Sequence, residues 1–291
     1  MIVYVLPGAG VYGGIKVGVQ FVDLLRSLGV DAVAATPDGE APQWCRSAAP
    51  VVARADVLPR LTAADTVIFS LPHDHAVVRA TPARAVFHCQ GTDPAIVPVL
   101  EDPAVTLLTC WAQAAEFVRS TTGRMPIEVG LSIDDVFFER GPGRVERTVA
   151  HMARRGRTDV AAALGGVRHL VIDGDREPAV AAKLQSADLF VAVAEGEWFG
   201  LPALEAMAAG CAVVSVPTVG GGEYLHHDRN AIVVEPAAIP AAVASLLADD
   251  GRRGLLRRNG RITAQRYRRA VQAERLAALL NGELGEVLRC R

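Results

Sequence analysis

The sequence predicts an α/β protein of two domains, each a parallel β-sheet wrapped by helices. Three observations carry that expectation. Short β-branched runs alternate with Ala- and Leu-rich amphipathic stretches, the pattern of strand–helix units in a parallel sheet. The alternation breaks once, around Ser132–Arg147, at the polar, Gly- and Pro-containing stretch FFERGPGRVER, and then restarts. The length of 291 residues, 51% of them hydrophobic, suits two cores of ordinary size.

In chain order, Ile2–Leu6 reads as the first strand and Lys16–Leu28 as a helix closed by Gly29. Val30–Ala35, Thr66–Ser70, Arg84–His88 and Val105–Thr109 follow as strands, with Ala112–Thr121 helical after the last. Beyond the break, strands are expected at Thr148–Met152, Val167–Ile172, Leu189–Val193, Ala212–Val216 and Ile232–Val234. Helices are expected at Ala179–Ser186, Pro202–Ala209 and Ala237–Ala248, and one long Arg-rich helix, Arg252–Leu280, closes the chain. The implied domains are 1–138 and 139–265, with a C-terminal helix over 266–291. Two such sheets facing a cleft would hold ligand beyond the carboxyl ends of their strands.

Lys and Arg total 30 against 32 Asp and Glu, which argues against nucleic acid as a partner. The five cysteines, at 45, 89, 110, 211 and 290, form no C-x-x-C pair and suggest neither a disulfide framework nor a zinc site. They read as reduced thiols of a cytoplasmic protein. The opening MIVYVLPGAG has no basic n-region and reads as a strand rather than a signal peptide. The uncharged stretch Ala206–Gly222 is broken by Gly210 and Pro217 and is too short to span a bilayer.

Two glycine-containing clusters carry the chemistry. In the first, Gly8, Ala9, Gly10, Val11, Tyr12 and Gly13 match G-x-G-x-x-G between a strand and a helix, and Gly14 follows. Such a loop brings backbone close to a phosphate or a sugar phosphate. A plain structural turn and a dinucleotide site are the other readings. Asp31 lies near the distance of a ribose-binding acid but begins its strand rather than ending it.

The second cluster is AEGEWFGLPALEAMAAG, Ala194–Gly210. Glu197 sits on a loop after a buried strand, Phe199-Gly200-Leu201 is a tight loop, and Pro202 suits the first turn of a helix that would place Glu205 in that turn. Carboxylates accept from sugar hydroxyls, while a helix N-terminus attracts an anion.

Glu197 through Gly210 closely resembles the E-x7-E signature, E-G-F-G-L-P-x-L-E-A-M-A-x-G, of the retaining glycosyltransferases of family 4, with Trp198 in place of the Gly. CAVVSVPTVGGGEYLHHDRNAIVV resembles the family's following stretch, with Glu223 one residue early and Asn230 in the Asn position. Ser132-Ile133-Asp134 with Phe137 is similar to its interdomain hinge, without the Asn and Gly. The resemblance implies the GT-B fold, two Rossmann-like domains with a covering C-terminal helix. It implies a hexosyltransferase-type enzyme that takes sugar from a nucleoside diphosphate sugar, with retention and without a cofactor. The acceptor, whether glycan, lipid, natural product or protein, stays open.

By that resemblance Glu205 would hold the donor ribose, and Glu197 with the amides of Phe199, Gly200 and Leu201 the transferred sugar. Gly13 and Gly14 would approach the donor from the first domain. The departing diphosphate calls for positive charge, for which Arg154 and Arg155 in AHMARRGRTDV, with Arg157 as substitute, are the candidates. With arginines and a helix N-terminus in that role, no metal is expected. His88, closing its strand, is assigned to the sugar's hydroxyls or departing oxygen and counted as catalytic with Glu197 and Arg154. His73 and His75 lack a third metal ligand and read as loop residues on the acceptor side. The terminal stretch carrying Arg252, Arg253, Arg257, Arg258, Arg261, Arg266, Arg268 and Arg269 reads as a solvated basic face, or as peripheral contact with the inner face of a membrane. Two other classes stay open: a non-catalytic nucleotide-sugar-binding partner subunit, motivated by a second domain that reads short, and an NAD-dependent oxidoreductase, from Gly8–Gly13.

Overall fold

The computed structural model describes residues 1–153, 164–194 and 196–288. The chain divides into two units. The first comprises residues 1–132 and the stretch from Arg269 onward, and the second is Ile133–Arg268.

The first unit is built on seven strands: β1 (Ile2–Val5), β2 (Ala32–Thr36), β3 (Val51–Ala53), β4 (Thr66–Phe69), β5 (Arg84–Cys89), β6 (Val105–Thr109) and β7 (Ile127–Glu128). They pair in the order β3-β2-β1-β4-β5-β6-β7, all parallel. β1 and β4 are buried along their whole length, the state that demands continuous apolar runs rather than alternation. The helix Gly13–Ser27 starts three residues earlier than expected and buries every residue from Ile15 to Leu25. Gly18 lets it lie against β1, since a Cβ there would stand 2.5 Å from Leu6 Cδ2 and 2.9 Å from Tyr4 Cε1.

The closing helix differs from the expected one. Asp250–Ala264 is helical, Gln265–Tyr267 tightens into a 3-10 turn, Arg268 is extended, and a separate helix runs Arg269–Leu280. The break has a local cause. Arg268 bridges Ile133, its guanidinium lies 4.1 Å from the Phe138 ring centroid, and its Nη1 donates to Asp135 at 3.0 Å. Residues after the break belong to the first unit rather than to a separate covering element. Leu276, Leu284 and Leu288 join the core of Tyr4, Phe21 and Leu25. Gln272 Nε2 donates to the Gly130 carbonyl at 2.9 Å, and Arg269 lies 3.4 Å from Asp23.

The second unit has five parallel strands: β8 (Thr148–Met152), β9 (Arg168–Ile172), β10 (Leu189–Ala192), β11 (Ala212–Ser215) and β12 (Ile232–Val233), in the order β12-β11-β10-β8-β9. The helices Glu177–Ser186, Leu201–Ala209 and Ile239–Ala248 fall within two residues of their expected starts. The stretch read as a linker is not loose. Asp134 caps Val136 at 2.9 Å, and Phe137 and Phe138 are buried. At the amino ends of the strands, buried Asp188 pairs with Arg257, which ties the Asp250–Ala264 helix to the sheet. Arg252, Arg253 and Arg261 are likewise engaged, by Asp228, Asp250 and the Phe138 carbonyl. Among the described residues no helix is long and apolar enough to cross a membrane.

Candidate active site

The carboxyl ends of β10 and β11 lead into two loops that close on each other. The first, 193–200, carries Glu197, Trp198, Phe199 and Gly200. The second runs through Thr218 into a 3-10 turn, Gly220–Glu223. The Gly220 amide donates to the Trp198 carbonyl. A Cβ on Gly220 would meet the Phe199 ring at 2.7 Å, so glycine is required for the loops to touch.

Gly200 is the N-cap of the Leu201–Ala209 helix with φ +88°, a left-handed conformation that other residues adopt only under strain. A Cβ there would also lie 2.8 Å from the Tyr224 hydroxyl. That hydroxyl, wholly buried, points at the carbonyls of Gly200 (2.6 Å) and Phe199 (3.1 Å). Phe199, Tyr224 and Tyr267 pack with ring centroids 5.1–6.1 Å apart. Burial first, and then the neighbouring acids Glu197 and Glu205, hold the Tyr224 hydroxyl protonated with a pKa well above its ordinary value. Tyr224 is therefore a fixed donor, and Glu197 and Glu205 both act on it. Burial, and then Glu223, push Tyr267 up to about 12.

Glu205 is the fifth residue of its helix, not in the first turn as expected. It is 6% exposed. Interaction with the helix dipole fades beyond the first turn, so the dipole does not account for an acid here. The Thr218 hydroxyl is buried beside Gly200 with no hydrogen-bond partner among the described residues. Asn230 is structural: its side chain donates to the Tyr224 carbonyl (2.7 Å) and Thr263 (2.8 Å) and accepts from the His226 amide (2.8 Å).

Glu197, Phe199, Gly200, Leu201 and Glu205 thus come together in the second unit. Arg154, Arg155 and Arg157 lie outside the described residues. Gly13 and Gly14 open the first helix of the first unit, and a Cβ on Gly14 would meet the Gln90 side chain at 2.7 Å. One Asp-x-Asp occurs in the sequence, Asp173-Gly174-Asp175. Its Asp175 accepts from Lys183 at 2.6 Å and from the Asp173 amide at 3.1 Å.

His88 lies near the end of β5 but faces inward. It lies in the core of the first unit, 0% exposed. Its Nδ1 is 2.9 Å from the Tyr4 hydroxyl and its Nε2 is 3.0 Å from Cys110 Sγ. Phe21 packs on its ring at 5.0 Å. Burial lowers its pKa to about 3, so the ring is neutral, with both nitrogens committed inside the protein. A strand-end position looks alike in sequence whether the side chain faces ligand or core. Gln90, two residues on, is the half-buried polar group there; its amide donates to the Tyr4 hydroxyl at 2.9 Å. His75 pairs with Asp102 at 2.9 Å, and His73 is exposed.

Sequence reasoning also passed over Tyr224, Tyr267 and Thr218. The first follows directly on the noted Glu223, but nothing in the local pattern says that its hydroxyl turns back onto Gly200.

Part of the sequence, and the fold, are similar to known proteins. Residues 143–249, within the second unit, match the family model of glycosyl transferases, group 1. A D-inositol 3-phosphate glycosyltransferase of Xylanimonas cellulosilytica is 35% identical over 86 residues, 28% of this chain and 21% of the relative. The match thus spans about a fifth of that protein's length. Among solved structures, HepE of Anabaena in complex with UDP-glucose superposes with a TM-score of 0.73 at 14% identity, covering 96% of this chain and 99% of that one. Sucrose-phosphate synthase of Thermosynechococcus elongatus gives 0.74 at 14% identity, covering 98% and 99%. The two parallel-sheet units have the GT-B glycosyltransferase fold.

Proposed function

We propose that the chain is a glycosyltransferase that moves a sugar from a nucleoside diphosphate sugar to an acceptor hydroxyl. One observation carries the reading. A nearly buried acid, Glu205, shares a site with Glu197 around a glycine whose geometry is fixed by Tyr224. Ribose hydroxyls are donors suited to Glu205, and sugar hydroxyls to Glu197 and the loop amides of Phe199, Gly200 and Leu201. The Thr218 hydroxyl, without a hydrogen-bond partner among the described residues, adds a further polar group beside the loop. The amino end of the Leu201–Ala209 helix suits the diphosphate, with Arg154 and Arg155 supplying positive charge. Similarity to a group 1 glycosyl transferase domain supports the same reading.

The finer assignment is a retaining, family 4-like hexosyltransferase in the cytoplasm that needs neither metal nor organic cofactor. The glycine loop of the first unit, from Gly8 to Gly14, contacts substrate. The UDP-glucose bound by HepE of Anabaena makes a UDP-sugar the first donor to try. Calorimetry with UDP, GDP, ADP and dTDP, followed by transfer assays with the matching radiolabelled sugars, tests the proposal. Binding with turnover supports it; binding without turnover favours a non-catalytic subunit. Absence of nucleotide binding, with NADH bound instead, overturns it.

A further inference from the structure

The segment between β2 and β3 contains PDGEAPQWCRSAAP and forms neither strand nor helix over residues 37–50. It is nevertheless held in place. Cys45 is buried in the same core as Ile15, Val19 and Phe21, and Trp44 packs against that cluster. The Ala48 amide donates to Asp23 on the Gly13–Ser27 helix at 3.0 Å. From this anchored position the Trp44 indole reaches back more than thirty residues. Its Nε1–H lies 3.1 Å from the Ala9 carbonyl oxygen and 3.0 Å from that of Gly10.

That contact fixes the direction of the glycine loop. No peptide bond among the described residues is cis, and in a trans peptide the N–H points opposite to the C=O. The Ala9 carbonyl and the Gly10 amide belong to one peptide plane. Drawing the carbonyl to the indole turns the Gly10 amide away from Trp44. The glycines themselves are not explained by the unit's own packing. A Cβ on Gly8 or Gly10 would meet nothing within 4 Å, and neither residue has a positive φ. The loop therefore keeps backbone bare on open space, as an approach by ligand requires.

We propose that Trp44 is a positioning residue for transfer: its indole N–H pins the Gly8–Gly13 loop so that the Gly10 amide is presented to a substrate oxygen. This role rests on the glycosyltransferase reading and extends it to a residue outside the recognised motifs. Trp44 acts through the loop and does not itself touch the reacting atoms.

The test uses the full chain. Trp44→Phe keeps a ring on the core and deletes the donor; Trp44→His restores a ring N–H. Expected for Trp44→Phe are faster hydrogen exchange in the peptide spanning residues 6–14 and a fall in kcat of about ten-fold, the scale of one or two lost hydrogen bonds. UDP affinity should stay within two-fold. Trp44→His should recover part of the loss. Unchanged exchange, or unchanged kcat with faster exchange, overturns the role. So does a parallel loss of UDP binding, which marks general damage. If the parent chain binds no nucleoside diphosphate, the proposed function fails first and takes this role with it. A parent that binds and turns over, matched by Trp44→Phe, sinks the role alone.

Discussion

The Tyr224 hydroxyl stands 2.6 Å from the carbonyl oxygen of Gly200, a bond that joins the turn after β11 to the N-cap of the helix after β10. Two loops from neighbouring strands are thereby locked at the place where Glu197 and Glu205 meet. Tyr224→Phe keeps the ring among Phe199 and Tyr267 and removes only that donor. It should lower stability by about 1 kcal/mol and weaken nucleotide-sugar binding more than it weakens the fold. Denaturant unfolding alongside calorimetry reads both effects.

Two glycine substitutions should behave oppositely. Gly200→Ala meets a φ of +88° and the Tyr224 hydroxyl at 2.8 Å, and should destabilise by roughly 1–3 kcal/mol. Gly10→Ala meets open space and should leave the thermal midpoint unchanged or slightly raised, while transfer falls because the methyl occupies the ligand's approach. A stable and fully active Gly10→Ala would show that the loop does not contact substrate.

Glu205→Gln preserves size in a nearly buried position. Hydrogen bonds to a charged group contribute about 1.5–3 kcal/mol, so UDP affinity should drop ten-fold or more. Unchanged affinity in the folded variant would remove Glu205 from the nucleotide site.

His88 should mark the acid side of the stability curve. Its pKa is lowered by burial from 6.5 to about 3, so between those values the unfolded chain binds a proton that the folded chain does not. Stability therefore rises with pH. The contribution is full above pH 6.5 and is lost as pH falls toward 3, by ~2 kcal/mol on going from pH 7 to pH 5. Urea titrations at the two pH values should show His88→Asn losing less stability than the parent by that amount. Equal losses would exclude His88 as the source.

Transfer should persist in EDTA. The proposed charge carriers for the diphosphate are arginines and a helix N-terminus, neither of which a chelator removes. Loss of turnover in EDTA, restored by Mg²⁺ or Mn²⁺, would mean that a cation does that work, and would direct attention to Asp173 and Asp175.

The core strands were legible because each is a short apolar run buried on both faces, as in β1 and β4. The three residues of β3 and two of β7 are too short to leave a period. Glu197, Gly200 and Glu205 stood out in the sequence through their resemblance to the E-x7-E signature, and the structure brings them together around Tyr224. The helical position of Glu205 was not legible, since a start at Leu201 rather than Pro202 moves it from the fourth to the fifth residue, past the first turn. The surroundings of His88 were not legible because Tyr4 and Cys110, its partners, lie 84 and 22 residues away. Trp44 was passed over for the same reason, its acceptors being 34 and 35 residues upstream.

The return of the terminal helices to the first unit bears on the order in which the chain becomes structured at the ribosome. Domains generally fold as units, the N-terminal one first during synthesis. Here the second unit is continuous in sequence, whereas the first lacks Leu276, Leu284 and Leu288 until the stretch after Arg268 is made. The later-encoded unit can therefore close before the earlier one. Until then Tyr4, Phe21 and Leu25 await the surface that covers them, and the nascent first sheet is the species most in need of a chaperone.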